Sequence, residues 1–311
     1  MSLFDNWLIM AFLVPISWAL VNLLDVYFCK EVFKTPYDGV TISGFFQGLF
    51  VLLPIFRFVE FSYNGILPAS IGIVSGILFQ LACLYYFKAL FLHSNVIWMQ
   101  IIWNLNMAVV PILSFFLLKQ PVGLPGAIGI FGMFVGSSLL IIDFQKDGAD
   151  SIKVIKIMLL SMLFFSFSKI CENVVFENFK TPFSTGYTYF SIGSFSLALW
   201  SVILKKSTLS YLSRFIGKFS VGEGFSFIAT ISSERAIFLK GSSTMVVLIE
   251  GYTPFFTIIL TYFALLCRFI YKSRKERAQW LKLQLENLPL KILSILIMNF
   301  GLYLLLSSKM K

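Results

Sequence analysis

Apolar runs of about 20 residues, the length that crosses a bilayer as a helix, alternate along this chain with short polar breaks, and none shows the period-two pattern of a strand. Helical spans are predicted at roughly residues 5–29, 39–59, 66–88, 95–118 and 122–142, and again at 154–178, 185–204, 218–238, 243–270 and 288–307. Runs of this length are too long for strands, and a helix satisfies its own backbone inside lipid. The expected architecture is therefore all-α and integral to a membrane. The run at 218–238 is the weakest, because Ser220, Glu223, Ser226, Ser232, Ser233, Glu234 and Arg235 dilute it.

A repeat supports that eighth run. The string Phe33-Lys34-Thr35-Pro36 after the first span recurs as Phe179-Lys180-Thr181-Pro182 after the sixth, an offset of 146 residues. Shifted by one more residue, Gly39 and Thr41 fall on Gly186 and Thr188, and Lys88-Ala89 falls on Arg235-Ala236. Lysine near a helix end with proline beyond it is ordinary stop chemistry. The register held across three spans is what carries the repeat. Two units follow, residues 1–150 and 151–311, each of five spans, with a basic linker near 272–287 in the second. An odd number of spans makes the second unit enter the membrane from the opposite side, the inverted-repeat plan of secondary transporters.

Composition narrows the class. Apolar residues make up 58% of the chain and charged residues 13%, with a mean hydropathy of +0.85, whereas soluble proteins carry about 25% charged residues. A soluble enzyme is excluded on that count. No glycine-rich phosphate loop is present, and the length leaves no room for a nucleotide-binding domain, so any work must draw on gradients. The four cysteines, Cys29, Cys83, Cys171 and Cys267, lie in or beside apolar runs without C-x-x-C spacing and read as packing residues. His93 is the only histidine, so a histidine-rich metal site or a Ser-His-Asp triad cannot be assembled. No metal, cofactor or nucleic-acid partner is expected; membrane lipids and a small solute are. The N-terminus lacks a basic region or cleavage site before its apolar stretch, so the first span reads as retained.

The stretch Gly76 to Leu90 (GILFQLACLYYFKAL), Pro111 in the second half of the fourth span, and Gly126 to Leu140 (GAIGIFGMFVGSSLL) resemble the EamA-like branch of the drug/metabolite transporter superfamily. The likeness covers the whole chain in architecture. It implies the ten-helix drug/metabolite transporter fold, with a central cavity lined mainly by the third, fourth, eighth and ninth spans, and a bacterial inner (plasma) membrane. It implies no substrate. Family members usually have an acidic residue between the fourth and fifth spans, where this chain has Lys119-Gln120-Pro121.

Basic residues sort unevenly by side. The side holding the N-terminus has Arg57, Lys119, Lys180, Lys240, Lys309 and Lys311, while the other has Lys30, Lys34, Lys88, Lys205, Lys206 and the basic stretch from Arg268 to Lys291, among others. The positive-inside rule puts the richer side in the cytoplasm and both termini outside, the reverse of the family habit. Residues 272–291, with Trp280 and Leu283 among lysines, read either as an interfacial amphipathic helix or as a solvated linker.

Ionisable groups inside spans cost about 2.5 to 3.5 kcal/mol each on insertion scales, so they face partners or a wet cavity. Asp25 shares a helix face with Asn22, and Lys169 shares one with Glu172, which falls within one residue of the repeat equivalent of Asp25. These three ionisable groups either pair and snorkel near an interface or carry a coupling proton or ion. Glu250 lies one turn before Pro254 and falls on Trp103 in the repeat; Gln100, Trp103, Asn104 and Pro111 form one polar and aromatic stripe. That stripe lines a cavity or glues a helix seam. Gln80 in the third span and Glu223 in the eighth are further candidates, whereas Tyr85, Tyr86 and Lys88 read as an interfacial belt and Glu234 with Arg235 as a local ion pair. The expected function is secondary transport of a small organic solute, cationic or zwitterionic, such as an amino acid or amine, by alternating access. The alternatives are a translocator of lipid or lipid-linked substrates and a membrane scaffold without transport.

Overall fold

The computed structural model describes residues 5–93, 95–119, 123–145, 149–204, 206, 213–240, 242–266 and 287–309, so most of the basic linker lies outside it. No strand occurs among the described residues. Helix α1 (Trp7–Glu31) begins where the Asn6 side chain accepts from the backbone N–H of Leu8 at 3.0 Å. After it, Asp38 Oδ2 accepts from the backbone N–H groups of Lys34 and Thr35, both at 2.8 Å, and Pro36 opens α2 (Pro36–Ile55), which tightens to a 3-10 turn over Leu49–Val51. The Phe-Lys-Thr-Pro string is thus a helix start as much as a helix stop.

The remaining elements are α3 (Ile66–Leu92), α4 (Val96–Trp103), α5 (Asn106–Leu118), α6 (Leu124–Gln145) and α7 (Ala149–Asn173), which a π-helical turn extends over Val174–Asn178. They continue as α8 (Phe183–Ile203), α9 (Ile216–Lys240), α10 (Ser243–Glu250), α11 (Thr253–Leu266) and α12 (Leu288–Lys309). The polar run at 218–238 is helical, as expected. Two expected spans are interrupted: 95–118 folds as α4 and α5 with a break at Asn104-Leu105, and 243–270 as α10 and α11 with a break at Gly251-Tyr252. The starts of α2 and α8, of α4 and α10, and of α5 and α11 are each separated by 147 residues, the offset read from the sequence.

Local chemistry explains both interruptions. Pro254 has no N–H for the carbonyl of Glu250, and the Thr253 hydroxyl donates to it instead at 2.6 Å. At the first break the N–H of Leu105 turns back to Ile102 at 3.1 Å and that of Met107 to Asn104 at 3.0 Å, one residue short of the α-helical step.

Among the described residues, six stretches, including Trp7–Glu31, Ile66–Leu92, Val96–Leu118 and Ile152–Asn178, are long and apolar enough to cross a membrane. The surface agrees with that. Leu8, Phe12 and Ile16 form an exposed stripe on α1, and Ile292, Leu296, Phe300 and Tyr303 on α12, a surface suited to lipid and not to water. The interior instead collects small and polar side chains, Ser75, Ser161, Ser168 and Ser194 being fully buried. The chain is an α-helical integral membrane protein.

Packing follows these small residues. Helix α1 packs on α9, α3 on α7 and α8, α2 on α8, and α6 on α12. Gly76 and Gly193 let the backbones of α3 and α8 approach so closely that a side chain at either would collide with a carbonyl of the other helix. On α2, Gly44 faces Ser194 and Ala198 of α8 in the same way.

Candidate functional site

The two breaks meet at the centre of the bundle. Asn104 Nδ2 donates to the carbonyl of Gly251 at 2.8 Å, joining residues that stand 147 positions apart, and Gly251 lies against Met107 with no room for a β-carbon. Around this junction lies a cavity with about 650 Å³ of atom-free space, its mouth included. Three carboxylates line it, Asp25 from α1, Glu223 from α9 and Glu250 at the end of α10. Four amides join them, Asn22, Gln100, Asn104 and Asn106, and the aromatic walls are Trp18, Phe79, Tyr86, Phe87 and Trp103. Among the described residues, no lysine or arginine belongs to the lining.

The cavity occupies one half of the bundle. Its residues on α1 and α3 run from the middle of those helices, Trp18 and Phe79, into their second halves, and Glu223 and Ser226 come from the first half of α9. That end is where Lys218 Nζ donates to the hydroxyl of Tyr27 at 3.0 Å and Thr35 Oγ1 to the carbonyl of Lys206 at 3.1 Å. The opposite end is closed by an apolar cluster that includes Met10, Phe176, Ile237 and Ile249. There Arg235 pairs with Asp5 at 3.3 Å and Lys240 sits over the Trp7 ring.

Beyond Glu250, toward the closed end, a polar chain runs through the packed interior. Ser233 Oγ donates to Glu250 Oε1 at 2.6 Å and accepts from Lys169 Nζ at 2.9 Å. Lys169 is ion-paired with Glu172 at 2.9 Å, and the second oxygen of Glu172 accepts from Ser168 at 3.2 Å and Ser75 at 3.4 Å. On the cavity side, Tyr86 Oη donates to Asn22 Oδ1 at 3.0 Å. The two layers stand at the spacing noted in the sequence: 147 residues separate Asn22 from Lys169, Asp25 from Glu172 and Tyr86 from Ser233. One layer borders the cavity and the other is shut.

Of the residues singled out in the sequence, Glu250, Trp103, Gln100, Asn104, Glu223 and Asp25 all border the cavity. Trp103 offers its ring to it while packing on Phe165 at 4.9 Å between centroids. Gln80 does not line it; its amide donates to Ser43, which does, at 3.3 Å. Lys169 and Glu172 stand behind it as a buried pair. Two expectations are corrected. Tyr86 is buried among the cavity walls and not in an interfacial belt, because a tyrosine near a helix end reads alike on the inner and outer faces. Arg235 is paired with Asp5 and not with Glu234, which lies fully inside with neither carboxylate oxygen hydrogen-bonded. Neighbouring positions on a helix point about 100° apart, so a Glu-Arg dipeptide seldom pairs with itself. The residues that sequence reasoning passed over, Asn22 as a wall residue and Ser233 as the link to Glu250, were accessible through the repeat register taken at 147 throughout.

No family model matches the chain, and no curated protein sequence matches it. Among solved structures, one described only as the crystal structure of a protein is similar in fold, with a TM-score of 0.65 at 15% identity, covering 97% of this chain and 98% of the other. At that identity the likeness speaks to the fold alone, and the fold is one that a second protein of matching extent adopts over its whole length.

Proposed function

We propose that this protein is a secondary transporter built from two inverted five-helix units, 1–150 and 151–311, that moves a small cationic or zwitterionic organic solute by alternating access. The observation that carries this reading is the cavity at the two helix breaks, walled by three carboxylates and by aromatic rings with no basic side chain among the described lining residues. Three carboxylates, with Lys169 behind Glu250 as the nearby ammonium and Lys169 itself ion-paired to Glu172, leave a negative field in a low-dielectric surround, which attracts an ammonium and repels anions. Trp103 and Tyr86 add faces on which a cation or an apolar body can rest.

The mechanical argument rests on the breaks. Helix interruptions at the middle of a bundle expose backbone carbonyls and give hinges, and both occur at positions 147 residues apart in contact with each other. Rocking one five-helix unit against the other would close the Asp25 layer and open the Glu172 layer while Glu250 stays at the centre. The resemblance of Gly76–Leu90 and Gly126–Leu140 to EamA-like transporters fits the same plan. A lipid translocator would call for a sideways opening walled by aliphatic side chains, whereas this lining is acidic and amide-rich.

The test is a thermal-stability screen of the purified protein against organic amines, amino acids and organic anions. Ligands of the folded state raise the melting temperature by linkage, about 2.7 kcal/mol at a hundredfold excess over Kd. Cations or zwitterions should stabilise the wild type and lose that effect in Glu250→Gln. Stabilisation by anions alone, or an unchanged response in Glu250→Gln, refutes the reading.

A further inference from the structure

Asn22 Nδ2, Asn106 Oδ1 and Glu223 Oε2 belong to the cavity wall, and none of them has a hydrogen-bond partner. Asn22 and Asn106 are almost wholly buried, at 4% and 2% exposure. A buried polar atom without a partner is costly to the fold. In the wall of a cavity it is the kind of group that a solute completes.

The unpaired atoms differ in kind. Asn106 and Glu223 offer acceptors, whereas Asn22 offers an N–H donor. Tyr86 sets that polarity: its hydroxyl donates to Asn22 Oδ1 at 3.0 Å and is itself hydrogen-bonded by Gln100. A phenol has one proton to give, so the Asn22 oxygen is taken and its amide nitrogen is left over. Asn22 also stands one turn before Asp25 on the same face of α1, and Asp25 interacts electrostatically with Glu223 on the neighbouring α9. The spare donor is therefore set beside carboxylates.

A solute ammonium brings three N–H donors, which suit the carboxylates and Asn106 Oδ1. Asn22 Nδ2 asks for an oxygen instead. The carboxylate of a zwitterion is a poor choice for it. Placed there, it would lie about one helical turn from Asp25, where like charges repel in a low-dielectric surround. One neutral amide does not offset that repulsion, and Lys169, behind Glu250, is held by Glu172 and Ser233. A carbonyl, ester or hydroxyl oxygen meets the same donor without bringing a negative charge.

Resting on the cation-site reading above, we infer that the solute is an amine carrying a neutral oxygen acceptor, which Asn22 Nδ2 receives, and that zwitterions are selected against. Asn22 is then a specificity-determining residue. It favours amino-ester, amino-amide or amino-alcohol chemistry over plain alkylamines, and Asp25 beside it disfavours amino acids. Tyr86 and Gln100 act as positioning residues, because they engage the Asn22 oxygen and so present its N–H to the cavity.

Calorimetric titration of the full chain in detergent at mildly acidic pH, with three compounds that share a phenyl ring and an ammonium, tests this. Phenethylammonium has no oxygen, phenylalanine methyl ester has a neutral one, and phenylalanine has a carboxylate. The ester should bind about tenfold tighter than phenethylammonium, and phenylalanine more weakly than either. In Asn22→Leu the advantage of the ester should vanish while phenethylammonium still binds. Equal affinities of ester and phenethylammonium for the wild type overturn the oxygen subsite and leave the cation-site reading standing. Phenylalanine as the tightest of the three overturns the selection against zwitterions, and an undiminished ester preference in Asn22→Leu overturns the assignment to Asn22. Should that variant fail to fold, the order of affinities for the wild type decides the inference by itself. Binding of none of the three, or of phenylacetate in their place, overturns the cation-site reading and the subsite with it.

Discussion

Gly44 offers the most direct test of how the bundle is held together. A β-carbon added there would lie 2.6 Å from Cβ of Ala198 and 2.7 Å from the carbonyl oxygen of Ser194, both on α8. Carbon and carbonyl oxygen normally approach to about 3.3 Å and two carbons to about 3.5 Å, so α2 must retreat from α8 by about 0.6 to 0.9 Å. One turn before Gly44, Thr41 Oγ1 meets Ser201 Oγ at 2.6 Å; one turn after it, Tyr187 Oη donates to Gln47 Oε1 at 2.9 Å. That retreat weakens the first bond and pushes the second beyond hydrogen-bonding distance, and each buried bond is worth about 0.5 to 1.5 kcal/mol. A radial gap of this size also forfeits a quarter to a half of each dispersion contact it touches. Gly44→Ala should therefore cost about 2 to 4 kcal/mol, above the gain of about 0.5 to 1 kcal/mol that alanine brings to a helix interior. Gly224→Ala, on α9 with no atom within 4 Å of the added carbon, should show only that gain. Melting can be followed with a thiol-reactive dye, since Cys29 is buried and becomes reactive on unfolding. Gly44→Ala is expected to melt several degrees below the wild type and Gly224→Ala at or slightly above it. A melting temperature for Gly44→Ala within one degree of the wild type, or an equal fall in both variants, refutes the close-packing argument.

Glu172→Ala removes the ion-pair partner of the buried Lys169 ammonium, leaving it only the Ser233 hydroxyl, and should cost up to about 3 to 5 kcal/mol, whereas replacing both residues with methionine should recover much of that loss; equal melting temperatures for the single and double variants would count against the pair. Asn104→Ala removes the donor to the Gly251 carbonyl and should cost about 1 to 3 kcal/mol, read in the same dye assay, with no change implying that the two breaks do not depend on each other.

Much of the fold was legible because lipid imposes a simple rule on sequence. An apolar run long enough to cross a bilayer is a helix, since no other local structure satisfies its own backbone there, and the boundaries from Trp7–Glu31 to Leu288–Lys309 lie close to the expected runs. The polar eighth run was found through the repeat, and α9 shows why it is polar: Ser226, Thr230, Ser233 and Glu234 are buried among other helices. The site was legible where a polar residue had no other reason to be in a span. Glu250, Trp103, Gln100 and Asn104 stood out for that reason, and all four border the cavity. Tyr86 was misread because tyrosine suits both a membrane interface and a buried hydrogen bond, and only its neighbour Asn22 decides between them.

Sequence alone determined the helical class, the approximate bounds of the helices, the 147-residue spacing that recurs between helix starts, and the short list of intramembrane polar residues. These follow from local and periodic properties: hydropathy, chain length and identity at a fixed spacing. Tertiary structure decided which of those polar groups face open space and which face each other. Asp25 and Glu172 stand 147 residues apart, the same spacing as the paired helix starts, yet one borders the cavity and the other is ion-paired behind it. That difference arises from long-range packing at the two helix breaks, where residues 147 positions apart touch, and no local feature of either segment contains it.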